Sequence, residues 1–157
     1  MIRLDRILVP VDFSDSSTSA QKYGVALAER FGSEIHLIHV LQDLVALSPE
    51  PGLSFPPPGE YLQELMESAK RSLANLPSAD DGNATEQPVI REVIQGAPFL
   101  EIIRYAKKHE IDLIVMGTHG RGGLAHVLLG SVAEKVVRKA GCPVLTIRPE
   151  GHQFVMP

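Results

Sequence analysis

The sequence predicts an α/β protein: an open, doubly wound parallel sheet of five strands with helices on both faces. Three observations carry this. Five short apolar stretches alternate with four segments of helical periodicity, the βαβ rhythm whose crossovers lay helices over a parallel sheet. Leu113–Met116 is continuously apolar, without the in–out alternation of a half-exposed sheet, as a strand covered on both faces requires. A glycine-rich loop then stands between that strand and the last helix, at the strand end where open α/β sheets bind ligands.

The elements follow in order. Arg6–Val11 is the first strand, with Ile7, Leu8, Val9 and Val11 apolar and Pro10 marking its carboxyl end. Asp12 stands just beyond it. Its carboxylate is placed either to take ribose hydroxyls and help hold a divalent ion, or to cap the helix that follows. Ser14–Phe31 reads as that helix, with Ala20, Tyr23, Leu27 and Phe31 on its apolar face and Gly32 as its stop. Glu34–Leu41 is the second strand. His36 and His39 are three apart on it, so they fall on opposite faces and read as ordinary sheet histidines, not as one metal site.

Residues 42–59 contain prolines at 49, 51, 56, 57 and 58 and form a loop insertion, either a lid over the ligand or a plain surface loop. Glu60–Leu76 is an amphipathic helix with Leu62, Leu65, Met66, Ala69, Leu73 and Leu76 at core spacing, ended by Pro77. The polar run Ser78–Gln87 is a surface turn, and Pro88–Gln95 is the third strand. Pro98 suits the first turn of the next helix, which turns Phe99, Ile102, Ile103 and Ala106 to the sheet. Lys107, Lys108 and His109 close it, where cations complement the helix dipole.

The fourth strand leads into a loop with glycines at 117, 120, 122 and 123, free to take positive φ and to approach a ligand closely. Gly130 and Ser131 open the last helix, and Ser131 with Glu134 has the S-x-x-E spacing of a capping box. A strand end, a glycine loop and a helix start together make a phosphate cradle. It is not a P-loop, because G-x-x-x-x-G-K-[ST] is missing from the sequence. Gly120 to Ala125 fits a loose G-x-G-x-x-A dinucleotide fingerprint. The strand Val144–Arg148 that follows has no acidic residue for a ribose, so that reading fails.

The spacing Gly117-x2-Gly120-x9-Gly130-Ser131 resembles the G-x2-G-x9-G-[ST] ATP-binding signature of the universal stress protein family. Ile7–Ser14 (ILVPVDFS), Leu37–Val40 (LIHV), Asp112–Gly123 (DLIVMGTHGRGG) and Gly141–Leu145 (GCPVL) are similar to family blocks and stand in family order, over residues 3–149. The resemblance implies the strand order 3-2-1-4-5, which reverses between strands 1 and 4, where Asp12 and the Gly117–Gly123 loop would meet. It implies ATP as ligand. Adenine would lie by Pro10, Val11 and the main chain of Val40, with Asp12 beside the ribose or a Mg2+ ion. The phosphates would lie on Met116, Gly117, Thr118, His119, Gly120, Arg121, Gly122 and Gly123 and on the helix start at Gly130, Ser131 and Val132. His119 and Arg121 either add positive charge there or point to solvent. It also implies that Val144–Arg148, bracketed by Pro143 and Pro149, is an edge strand, and an unpaired edge invites a homodimer through the last strand.

The function expected is that of an ATP-binding stress-response or regulatory factor. A slow ATPase or adenylyl-transfer enzyme on the same fold is the alternative, although the loop offers no lysine for phosphoryl transfer. A pure interaction module is a third reading; family members of that kind lack the glycine signature that this chain keeps.

Composition bounds these readings. A chain of 157 residues is one domain by length, and its formal charge of −4 does not suit a nucleic-acid or anionic membrane partner. Lys135, Arg138 and Lys139 read as a solvated helix face. The single cysteine, Cys142, allows no internal disulfide, fits a reducing compartment, and reads as a small buried residue before a strand. No apolar run approaches the roughly 18 residues of a membrane span, and no leader-like apolar segment follows the N-terminus. The expected location is cytoplasmic.

Overall fold

The computed structural model describes residues 2–42, 58–78, 84–119 and 129–149. Among them strands and helices alternate: β1 (Arg6–Pro10), α1 (Asp15–Phe31), β2 (Glu34–Leu41), α2 (Pro58–Ala74), β3 (Val89–Gln95), α3 (Pro98–Lys108), β4 (Leu113–Gly117), α4 (Ser131–Lys139) and β5 (Val144–Ile147). Every strand pairing is parallel, in the order β3-β2-β1-β4-β5. This is the expected open sheet with its expected order. The proline-rich segment and the glycine loop are described only at their ends, since residues 43–57 and 120–128 lie outside the described residues.

Side chains of a strand alternate faces, and here both faces are apolar. Ile7, Val9, Ile35, Leu37 and Val115 pack with Ala20, Val25 and Ala28 of α1 and Leu73 of α2. Leu8, Ile38, Ile114 and Met116 pack with Ile102 and Ala106 of α3 and Ala133 and Val136 of α4. Two cores, one on each side of the sheet, explain why the strands read as unbroken apolar runs.

Helix α1 keeps part of the face read in the sequence, with Ala20 buried and Leu27 packed against the core, and departs from it at Tyr23 and Phe31. Tyr23 is 55% exposed and Phe31 52%, whereas Ala20, Val25 and Ala28 are buried. Periodicity offers two neighbouring stripes, and packing distance chooses between them. A Cβ on Gly24 would lie 2.6 Å from Val9 Cγ2, so helix and sheet approach too closely for bulky side chains between them. Gly32 ends α1 as expected: at φ 70° its amide turns back to the Ala28 carbonyl at 2.8 Å. Pro58, assigned to the loop in the sequence, instead opens α2, and Pro98 opens α3 in its first turn. No helix among the described residues is long and apolar enough to cross a membrane.

Candidate functional site

The strand order places β1 beside β4, with Leu8 opposite Ile114, and the chain leaves their carboxyl ends toward opposite faces of the sheet. A crevice must open at such a switch point. At this edge stand Pro10, the last residue of β1, with Val11 and Asp12 after it, and Met116 and Gly117 at the end of the neighbouring β4, with Thr118 and His119 after them. Val40 lies on β2, two residues beyond Ile38, the partner of Pro10. The start of α4 is tied to the same edge, because the Gly130 amide donates to the Thr118 carbonyl at 2.6 Å. Gly120, Arg121, Gly122 and Gly123 lie outside the described residues.

Of the two alternatives for Asp12, capping α1 is not realised. The N-cap is Ser14, whose hydroxyl accepts the Ser17 amide at 3.2 Å. Asp12 Oδ1 instead accepts both the amide of Ser14, at 3.0 Å, and its hydroxyl. The Asp12 amide in turn donates to Ser17 Oγ at 3.3 Å. Between them Phe13 sits at φ 62°, a left-handed conformation that costs a residue with a Cβ about 1–2 kcal/mol. The turn is therefore held in a specific shape by its serines. A half-buried single carboxylate suits a Mg2+ ion that arrives with phosphates and keeps several waters. It does not make a protein cage, and the described residues contain no group of three or more His, Cys, Asp or Glu able to hold a metal.

The turn after β4 is held to α1. A Cβ on Gly117 would lie 2.3 Å from Ser16 Oγ and 2.8 Å from the Ser16 backbone. The His119 amide donates to the same Ser16 Oγ at 3.3 Å. Thr118 is 3% exposed; its amide donates to the Ile147 carbonyl at 2.9 Å and its hydroxyl meets His119 Nδ1 at 2.8 Å. Gly130 faces the same restriction as Gly117, since its Cβ would stand 2.9 Å from the Thr118 carbonyl oxygen. Both are glycines because another part of the chain comes too close, and among the described glycines only Gly32 and Gly96 have positive φ.

The expected capping box does not form. The N-cap of α4 is Gly130, no side chain caps the helix, and Ser131 is an exposed first helical residue. Glu134 pairs forward with Arg138 at 3.0 Å. The physical reason is the Gly130–Thr118 hydrogen bond, which sets the helix origin one residue earlier than the Ser-x-x-Glu spacing suggests. Lys135, Arg138 and Lys139 are exposed, as read for a solvated helix face, and the ammonium groups of Lys135 and Lys139 also lie over the Phe99 ring at 4.8 and 5.7 Å from its centroid.

Three site residues escaped the sequence reading. Ser16 and Ser17 belong to a polar run that reads only as a helix start, and their partners His119 and Asp12 identify them. His39 reads as a sheet residue, yet its Nδ1 lies 2.7 Å from the Val11 carbonyl oxygen. Its neighbour on the other face is different. His36 joins Tyr105 Oη at 2.9 Å and Glu34 Oε1 at 2.8 Å, with His109 stacked on Tyr105. Burial, with the charges of Glu92 and Glu34, pushes the Tyr105 phenol up to about 12. The Glu34 carboxylate only accepts, so His36 Nε2 carries the proton, and in the neutral ring Nδ1 accepts from the Tyr105 hydroxyl. This cluster borders a cavity of about 270 Å3 lined by Arg6, Glu34, His36, Lys108, His109 and Glu110. That cavity lies at the amino ends of the strands, away from the crevice. Cys142 is half-buried against the α3–α4 core, and burial followed by the Asp112 charge pushes its thiol up, so it is a poor nucleophile.

The family model described as "Universal stress protein family" matches residues 3–148. A universal stress protein of Methanocaldococcus jannaschii, MJ0531, is 37% identical over 91% of this chain and 81% of its own length. Two solved structures share the fold. Protein MJ0577 has a TM-score of 0.79 at 28% identity, covering 96% of this chain and 100% of that one; its curated sequence is a universal stress protein of the same archaeon. The protein UspA of Lactobacillus plantarum has a TM-score of 0.76 at 30% identity, covering 94% and 100%. With the glycine spacing, the strand order and these matches in agreement, the chain belongs to the universal stress protein family.

Proposed function

We propose that this protein binds an adenine nucleotide, ATP, in the crevice between β1 and β4, and acts as a nucleotide-dependent stress-response regulator. The observation that carries the reading is the docking of the α4 start on the end of β4 through Gly130 and Thr118. It sets a helix start that no side chain caps, with its partial positive charge, at the end of β4, the strand paired with β1. Phosphates belong at Gly117–Gly123 and Gly130–Val132, ribose and Mg2+ at Asp12, and adenine at Pro10, Val11 and Val40. Pro10–Asp12, Met116–Gly123 and Gly130–Val132 contain no lysine. The reading is accordingly of binding by main-chain donors, not of rapid phosphoryl transfer. A universal stress protein of Archaeoglobus fulgidus with this fold, 22% identical and with a TM-score of 0.61, was solved with dAMP; at that distance the likeness is one of fold, and the reading rests on this chain's own residues. We further propose that the chain is one domain, cytoplasmic, and a homodimer paired through β5.

Titration calorimetry of ATP into nucleotide-free protein tests the reading, with Gly120→Val alongside. Charge-assisted hydrogen bonds of the cradle contribute about 1.5–3 kcal/mol each, so losing several should weaken ATP binding by well over about tenfold. A folded wild type that binds no adenine nucleotide overturns the reading, and an unaffected Gly120→Val moves the cradle elsewhere.

A further inference from the structure

We propose that His39 is the positioning residue of the crevice: it fixes the turn after β1, and with it the Asp12 carboxylate, in the conformation that meets the ligand. The proposal rests on the nucleotide reading above and adds a residue that touches no ligand.

The argument begins where the β1–β2 ladder ends. The last paired residues are Pro10 and Ile38. One residue on, the Val11 amide still donates to the Ile38 carbonyl at 2.7 Å. The Val11 carbonyl oxygen is taken by a side chain, His39 Nδ1, also at 2.7 Å. A carbonyl only accepts, so Nδ1 carries the proton and the ring orientation is set. Val11 is thus clamped on both its N–H and its C=O by consecutive residues of β2, at the point where the chain turns away. His39 is 9% exposed and Val11 3%, so this hydrogen bond is made away from water.

The same ring reaches the residue on the other side of Asp12. The His39 and Phe13 ring centroids are 4.7 Å apart, tilted by 39°. Phe13 is the residue with φ 62°, a conformation that persists only when its surroundings impose it. His39 therefore brackets Asp12: it holds the residue before by a hydrogen bond and the residue after by a ring contact. The Asp12 carboxylate, aimed through Ser14, follows the shape of this turn. His36, three residues earlier on the opposite face, has no part in it.

Two variants separate positioning from mere filling of space. His39→Leu keeps apolar bulk and removes the donor. His39→Asn gives up bulk but keeps an N–H near the Nδ1 position. If His39 only fills space, leucine should replace it better than asparagine in every assay. Positioning reverses the order for ligand: His39→Leu should bind ATP about tenfold more weakly or worse, while His39→Asn stays within about threefold of the wild type. Inorganic tripolyphosphate without divalent cations, which has neither the ribose nor the metal to meet Asp12, should bind all three alike. In the ligand-free proteins, the amide resonances of Asp12 and Phe13 and the Phe13 backbone coupling, which reports φ, should change in His39→Leu and be restored in His39→Asn. If Asn and Leu lose ATP equally, or if His39→Leu binds as the wild type does, His39 is not a positioning residue. A wild type that binds no nucleotide would defeat the proposed function instead. The resonance comparison would still decide whether His39 holds the turn.

Discussion

The Gly130 amide donates to the Thr118 carbonyl at 2.6 Å, and a Cβ on Gly130 would stand 2.9 Å from that same oxygen. The hydrogen bond and the missing side chain are one requirement seen twice. Gly130→Ala should push the start of α4 off the end of β4, costing about 1–2 kcal/mol in urea unfolding and weakening ATP binding about tenfold. Gly141→Ala is the control. Nothing lies within 4 Å of its added Cβ, so stability should hold or rise by about 0.4–1 kcal/mol, with affinity unchanged. Equal stability and affinity for Gly130→Ala and the wild type would show that the helix start is not fixed by this contact.

Ser131→Ala should leave stability within about 0.5 kcal/mol of the wild type, because Ser131 is an exposed first helical residue and not the cap. A loss of about 1 kcal/mol, the size of a lost N-cap, would reinstate the capping box. Loss of ATP affinity without loss of stability would instead identify its hydroxyl as a phosphate contact.

His36 predicts an acid sensitivity. Burial holds its imidazole below the ordinary histidine value, while the hydrogen bond and charge of Glu34 push partly the other way and His109 and Arg6 add to the lowering. A depressed folded value means that the unfolded chain takes up the proton first. The stability tied to neutral His36 is complete above the unfolded value, about pH 6.5, and is lost as pH falls through the folded one. The slope from this one group is at most about 1.4 kcal/mol per pH unit. His36→Gln, which can still hydrogen-bond but does not titrate, should lose less stability than the wild type between pH 7.5 and pH 5.5. Identical pH profiles in urea unfolding would exclude His36 as the source.

Strand β5 is hydrogen-bonded to β4 and occupies the end of the sheet order, and Leu145 on it is 37% exposed. A proposed antiparallel pairing with its two-fold mate would cover this edge. Light scattering at micromolar concentration should report a dimer for the wild type and a monomer for Thr146→Pro, which removes a donor from the ladder. A monomeric wild type, or a dimeric Thr146→Pro, rules the pairing out.

The fold was legible because its signals are local. Glu34–Leu41 stands where the sequence puts it at both ends, since Gly32 stops α1 and the apolar run begins directly after it. What stayed hidden depends on distance between elements. Tyr23 and Phe31 miss the core face of α1 because Gly24 lets the helix approach Val9, a fact held by two residues fifteen apart in sequence and on different elements. The helix start at Gly130 was shifted by its bond to Thr118. In the site, Pro10 to Asp12 and Met116 to His119 leave the carboxyl ends of neighbouring strands, which strand order alone determines. Ser16 and His39 were not legible, because nothing in a serine-rich helix start or an apolar strand points to a partner 103 or 28 residues away.

The Ser16–Gly117 contact ties the first turn of α1 to the turn that begins at the end of β4, in opposite halves of the chain. Any side chain at 117 meets the Ser16 backbone, so enlarging one turn alone forces the other to move. Substitutions in the two turns should then be non-additive, with the effect of a change after β4 depending on what stands at the head of α1. Positions 16 and 117 are thereby mutually dependent: a larger residue at 117 should be accepted only where the head of α1 shifts to make room for it.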